Sequence, residues 1–290
     1  MIIYLKHKGQ LCNVLWSLWP AYAFAFKNKR KLHVLFANRN YIDRFPQVHE
    51  DSLLRFHHEI EKPLPDFVRK LTRLMDVFEI HTDLKDCKPR KCRVYSINGW
   101  EHHADQSNTY DHDAKVAFIR AFGFEESIKN KVTAFLNSIR GGGINTKIIG
   151  VHIRRGDYKE WNNGNYYYSD DAWVGIMKQI ETQLADKGYS CKFLLCSNET
   201  LRFKYEGKSY QMINSDGITD LCALSCCDMI VGPPSTYSQW ASFINDVPLY
   251  IVVSPNESID IDMFSPIVKI NRFKNERTLT NDSNGDFVIR

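Results

Sequence analysis

Two adjacent arginines in a glycine turn, His152-Ile153-Arg154-Arg155-Gly156-Asp157-Tyr158, are the residues best suited to chemistry in this chain. They continue the apolar run Ile148-Ile149-Gly150-Val151, which reads as a buried β-strand delivering the pair into a turn. Alternation along a strand puts His152, Arg154 and Gly156 on one face and Arg155 on the other, unless the turn has already begun. Guanidinium groups are costly to bury unless an anion meets them. Their planar forks match phosphate oxygens bidentately, so a phosphate or diphosphate is the simplest tenant. A structural ion pair with Asp157 is the alternative, at about even weight for the arginines alone.

A second anion seat follows in Val231-Gly232-Pro233-Pro234-Ser235-Thr236-Tyr237-Ser238-Gln239-Trp240. A strand enters a Gly/Pro loop, and Ser235 and Thr236 then open a helix, whose first N–H groups favour an anion. Plain helix capping would explain that loop by itself. Two such seats on one parallel sheet point instead to a shared diphosphate. Asp220, at the start of a helix read over 219–226, either caps that helix or offers a bidentate acceptor to the two N–H groups of a guanine edge; capping is the simpler reading. The turn Gly9-Gln10-Leu11-Cys12-Asn13 has too few glycines for a dinucleotide fingerprint or P-loop. Asp157 and Glu160 are the carboxylates nearest the arginines. Asp157 serves equally well as general base or as partner to an arginine, and Glu160 as base or surface charge.

The elements that must position these residues read as strands and helices in alternation. Strands are expected at 2–5, 31–36, 93–97, 147–153, 192–196, 211–213, 229–231 and 249–253. Helices are expected at 11–27, 66–77, 113–122, 125–139, 171–186, 219–226 and 235–244. The run Gly141-Gly142-Gly143 is the natural boundary, giving domains 1–143 and 144–290. The fold class is therefore α/β, with doubly wound parallel sheets. The Asn/Asp/Arg-rich tail after Phe273 is expected to be loosely ordered.

The chain has 290 residues and a net charge of +4, with 43% hydrophobic residues, ordinary values for a globular protein. The mild charge argues against nucleic-acid binding. The segments 27–31 and 85–91 are basic; they suit a solvated surface or a peripheral membrane contact. No apolar stretch reaches transmembrane length, and the amino terminus does not read as a signal peptide, so the expected compartment is the cytoplasm, at most against the inner membrane face. The eight cysteines are then reduced, and the Asn-x-Ser/Thr sequons at Asn198, Asn256 and Asn281 are accidental. His57-His58, His102-His103 and His112 lack zinc-site spacing, and Cys87 and Cys92 flank a basic turn. The two Asp-x-Asp tripeptides, 111–113 and 260–262, are minority candidates for a metal–diphosphate, the first reading better as a helix start.

Taken in order, these blocks resemble the GDP-fucose-dependent fucosyltransferases, the superfamily of α-1,2, α-1,6 and protein O-fucosyltransferases, and most closely the bacterial α-1,2-type enzymes. The 9–13 turn resembles the family's Gly-x-x-Gly-Asn. The 152–158 stretch is similar to its His-x-Arg-Arg-Gly-Asp-Tyr almost letter for letter, and Asp220 through Trp240 to its carboxyl-terminal block. No matching block stands out over 38–145. Cys12 replaces a glycine, and Pro233-Pro234 stiffens the last loop. The resemblance implies a GT-B-like fold, two Rossmann-type domains facing a cleft, an amino-terminal acceptor side and a carboxyl-terminal donor side. It implies inverting, metal-independent transfer from GDP-β-L-fucose, with no cofactor, to an oligosaccharide or lipid-linked glycan. By position, Arg154 or Arg155 would hold the β-phosphate, with His152 and Asn198 beside the donor. Asp220 would read guanine, Ser235 and Thr236 would cap the diphosphate, and Asn13 would face the reacting sugar. Another GDP-sugar, or a non-catalytic sugar-nucleotide or glycan-binding protein of the same fold, are the alternatives.

Overall fold

A computed structural model describes residues 2–4, 9–35, 39–57, 70, 71, 74, 82, 84, 95–97, 111–205, 207–267, 273–274, 277–281 and 287–289. The chain divides into two compact units, Met1–Glu125 and Glu126–Arg290.

In the first unit, β1 (Ile2–Tyr4), β2 (Leu32–Leu35), β3 (Leu54–His57) and β4 (Tyr95–Ile97) form a parallel sheet in the order β3-β2-β1-β4. Helix α1 (Leu11–Lys27) crosses from β1 to β2 and is apolar nearly all round, with Leu15, Trp16, Leu18 and Trp19 fully buried. Helix α2 (His112–Ala121) begins where Asp111 accepts a hydrogen bond from the Ala114 N–H at 3.0 Å, so the first Asp-x-Asp is a helix start. Strand β3 has no counterpart among the expected strands. The helix expected over 66–77 lies largely, and His102-His103 wholly, outside the described residues, whereas His112 is helical.

The second unit opens with α3 (Glu126–Arg140), which packs on the sheet's first strand. The sheet is β5 (Thr146–Ile153), β6 (Ser190–Ser197), β7 (Ser209–Tyr210), β8 (Met229–Gly232) and β9 (Leu249–Ile251). All pairs are parallel, in the order β7-β6-β5-β8-β9, so strand order reverses between β5 and β8. Strand β5 lies at the centre, and its mostly apolar, almost wholly buried sequence suits a strand covered on both faces. Helices α4 (Asp170–Asp186), α5 (Gly217–Ser225) and α6 (Thr236–Asn245) complete the unit. Ile149, Val151, Ile153, Trp173, Ile176, Phe193 and Val231 form its core.

Two expectations are corrected. The strand expected at 211–213 is instead Ser209–Tyr210, and Ile213 is exposed to solvent. The tail expected to be loose carries three short antiparallel strands, β10 (Phe273–Lys274), β11 (Arg277–Asn281) and β12 (Phe287–Ile289). Among the described residues no helix is long and apolar enough to cross a membrane, and the six cysteines are free thiols.

Candidate active site

Open parallel sheets leave a ligand-sized crevice beyond the carboxyl ends of their strands, where strand order reverses. In the second unit that point is the end of β5 beside β8. It carries the arginine turn on one side and the Gly232–Ser235 loop on the other.

The two arginines differ in surroundings. Arg155 is 6% exposed. Its guanidinium donates to the Tyr168 carbonyl, ion-pairs with Asp170 at the first turn of α4, and lies 4.9 Å from the Tyr167 ring centroid. Arg154 reaches solvent; it pairs with Asp157 at 2.9 Å and sits 5.6 Å from the Tyr158 ring centroid. Of the two roles open to Asp157, the structure displays the partnership with an arginine.

Two devices fix the turn. Asn198, beyond the end of β6, accepts from the Arg155 N–H at 2.7 Å and donates to the Arg155 carbonyl at 3.3 Å. Gly156 has φ 61°, and a Cβ there would stand 2.9 Å from the Asn198 amide nitrogen, so glycine is required on both counts. Tyr158 is buried, and its hydroxyl donates to the Pro234 carbonyl at 2.6 Å, tying the arginine turn to the second loop. Burial pushes the Tyr158 phenol up to about 12, so it remains a donor.

In that loop, Ser235 is the N-cap of α6 and accepts from the Tyr237 N–H at 3.2 Å, while Thr236 opens the helix. Gly232 lets β8 approach β5, because a Cβ would stand 3.0 Å from the His152 Cβ. His152 is 3% exposed and packs against Tyr237, with ring centroids 5.0 Å apart and planes tilted by 38°. Among the described residues its Nδ1 has no hydrogen-bond partner, a costly state for a buried nitrogen. Burial, then the nearby Arg154, lower its pKa to about 3, so the imidazole is neutral.

The Tyr237 hydroxyl donates to the Gly217 carbonyl at 2.6 Å, linking α6 to the start of α5. There Asp216, not Asp220, is the cap, accepting from the Thr219 N–H at 2.9 Å. The capping reading of Asp220 is therefore corrected. Its half-buried carboxylate accepts from the Ser215 hydroxyl. Burial raises its pKa to about 6 against that hydrogen bond, with Asp216 adding to the rise.

His152, Arg154, Asp157, Ser235, Thr236 and Asp220 thus share the carboxyl end of one sheet, cross-linked by Tyr158 and Tyr237. Asn198 acts there through the Arg155 backbone. Glu160 is exposed at the end of a short 3₁₀ turn, Gly156–Lys159. Asn13 lies in the first turn of α1 in the other unit, against Gly9, whose φ of 119° and closeness to the Asn13 amide exclude a side chain. Asp170 and Ser215 were not singled out by sequence reasoning; no local signal ties either to its partner. In the second Asp-x-Asp, Asp260 caps a 3₁₀ turn and Asp262 pairs with Lys187. Among the described residues no group of three or more His, Cys, Asp or Glu is placed to hold a metal ion.

Fixed cationic and N–H donors on a doubly wound sheet are the equipment of a sugar-nucleotide transferase. The family model for glycosyl transferase family 11 matches residues 52–260, including much of the stretch in which sequence reasoning found no matching block. The chain belongs to glycosyl transferase family 11, the fucosyltransferase family that its motifs resemble. The solved fucosyltransferase NodZ from Bradyrhizobium is similar at 14% identity and TM-score 0.52, over 86% of this chain and 94% of that one. A structure titled NodZ alpha-1,6-fucosyltransferase soaked with GDP-fucose is similar at 14% identity and TM-score 0.51, over the same 86% and 94%. These likenesses show the GT-B-like α/β fold. No curated protein sequence matches.

Proposed function

We propose that this enzyme transfers L-fucose from GDP-β-L-fucose to a hydroxyl of an oligosaccharide or lipid-linked glycan, with inversion, in an α-1,2-type linkage and without a metal. The pairing of a solvent-reaching Arg154 with Asp157 at the switch point carries this reading. As the bond between the fucose anomeric carbon and the phosphate oxygen breaks, negative charge gathers on the departing GDP while the sugar turns oxocarbenium-like. A preoriented guanidinium and the α6 N–H groups meet that charge where it develops. Arg154 is the β-phosphate ligand in this scheme, and Asp157 aims it. Arg155, held by Asp170, is a positioning residue that anchors the turn, and Asn198 fixes its backbone. Ser235 and Thr236 present the helix start to the diphosphate. Ionised Asp220 accepts from the guanine N–H groups, and His152 Nδ1 finds its missing partner on the donor. The acceptor proton leaves to Asp157, Glu160 or water. The donor assignment agrees with the GDP-fucose named for the similar NodZ structure.

The test is GDP release from GDP-fucose against GDP-mannose, with and without a glycan acceptor. Arg154→Ala should lower kcat by about 10³-fold, the scale of losing a preorganised charge donor, while the variant still unfolds cooperatively. Arg154→Lys should recover only part, since an ammonium lacks the fork. Full turnover in Arg154→Ala, or preference for GDP-mannose, overturns the assignment.

A further inference from the structure

Helix α3 is tied to the rest of the second unit at two separate levels. Near its carboxyl end, Arg140 donates to the Thr146 carbonyl at 2.8 Å and pairs with Asp228 at 2.9 Å, beside the start of β5. Lys131 lies about 14 Å back along the same helix, at 1.5 Å per residue. It therefore stands towards the opposite end of the sheet, where the strands finish. There its ammonium donates to the Asn214 carbonyl at 3.3 Å, in the loop that leads from β7 into α5. Helices α3 and α5 also pack on each other.

That loop is the one that serves Asp220. Asn214 has φ 51°, a left-handed conformation that asparagine tolerates better than most residues. The next residue, Ser215, donates its hydroxyl to the Asp220 carboxylate. Lys131, Asn214, Ser215 and Asp220 thus follow one another across α3, the loop and α5. The carboxylate feels the lysine: burial raises the Asp220 pKa, and the Lys131 charge is among the groups that draw it back down. Lys131 is exposed, and an ammonium has three protons to give, of which Asn214 takes one.

Guanine presents three groups in a row along one edge: the amino group on C2, the N1–H and the O6 carbonyl. A single carboxylate can accept from the first two only. The O6 oxygen beside them then needs a donor, and leaving it without one forfeits a hydrogen bond. A cation next to the carboxylate completes the set. Adenine sets an amino group where guanine has O6 and a bare nitrogen at N1, so donor would meet donor and acceptor would meet acceptor.

We infer that Lys131 is a specificity-determining residue that donates to guanine O6, so that Asp220 and Lys131 together read the whole edge of the base. The inference deepens the proposed GDP-sugar reading and rests on it. Its test compares GDP with 6-thio-GDP, which keeps both N–H groups and exchanges O6 for a weakly accepting sulfur. The parent enzyme should bind GDP at least fivefold more tightly than 6-thio-GDP at pH 7. Lys131→Met, of similar length but uncharged, should lose about tenfold in GDP affinity, the scale of a hydrogen bond to a charged group. It should bind the two nucleotides within twofold of each other, and Lys131→Arg should restore the preference. A lysine that merely braced the loop would, when removed, weaken both nucleotides alike and keep their ratio, and that result overturns the inference while the donor reading stands. A parent enzyme that binds neither nucleotide, or binds ADP as well as GDP, takes both away.

Discussion

At the residue scale, Asp220 combines a cost with a use. Its folded pKa of about 6 lies above its ordinary value of 3.8, so burial penalises the ionised form. Below about pH 4 the carboxyl is neutral in both folded and unfolded chains and the penalty vanishes; as pH rises through about 6 it is fully present. Asp220→Asn should therefore raise stability at pH 7.5, on the order of 1–2 kcal/mol after solvent screening, and change it little at pH 4. The same substitution should weaken GDP binding tenfold or more at pH 7.5. In the unsubstituted enzyme the affinity should fall as pH drops below about 6. Calorimetric unfolding and GDP titrations across pH 4–8 check both, and a GDP affinity untouched by the substitution would remove Asp220 from the guanine site. Sequence reasoning found Asp220 but not its environment, because Ser215 and Asp216 looked like ordinary loop polarity. The division between Arg154 and Arg155 was equally illegible. It depends on Asp170, fifteen positions further along the chain and on another element.

At the element scale, the turn after β5 is only as good as the clamp beside it. Asn198→Ala removes both hydrogen bonds to the Arg155 backbone. The expected loss is about 1–2 kcal/mol of stability, together with a drop in kcat of tenfold or more and a smaller change in the acceptor KM. Urea unfolding with steady-state kinetics separates the two effects, and a variant that melts like the parent with full kcat would show that the clamp is idle. Strand β5 was legible because eight residues of mostly apolar sequence between a glycine run and a charged turn admit few alternatives. Strand β3 was not, since Leu54-Arg55-Phe56-His57 alternates over only four residues and is held by pairing with β2. The start of α5 was displaced because Asp216 and Asp220 are both plausible caps, and the structure's local bond from the Thr219 N–H goes to Asp216.

For the whole molecule, two parallel sheets were legible from the alternation of elements, whereas the place where the units part was not. The glycine run drew the boundary at 143, but α3, with Val132 and Leu136 buried, packs against β5 and α5 and so falls in the second unit. If the donor rests on that unit, GDP at one hundred times its Kd should stabilise the protein by about 2.7 kcal/mol. Hydrogen exchange should slow at 154–158, 215–220 and 232–238 and remain unchanged along β1 to β4. Slowing confined to the first unit would transfer the nucleotide there.

The Asn198 clamp has a practical corollary. Asn198-Glu199-Thr200 is an acceptor sequence for oligosaccharyltransferase, and the nitrogen it would modify is the one that donates to the Arg155 carbonyl. Chain made through a eukaryotic secretory route would carry a carbohydrate tree on the amide that braces its arginine turn, so material from such hosts should be compared with enzyme bearing Thr200→Ala before inactivity is blamed on the substrate.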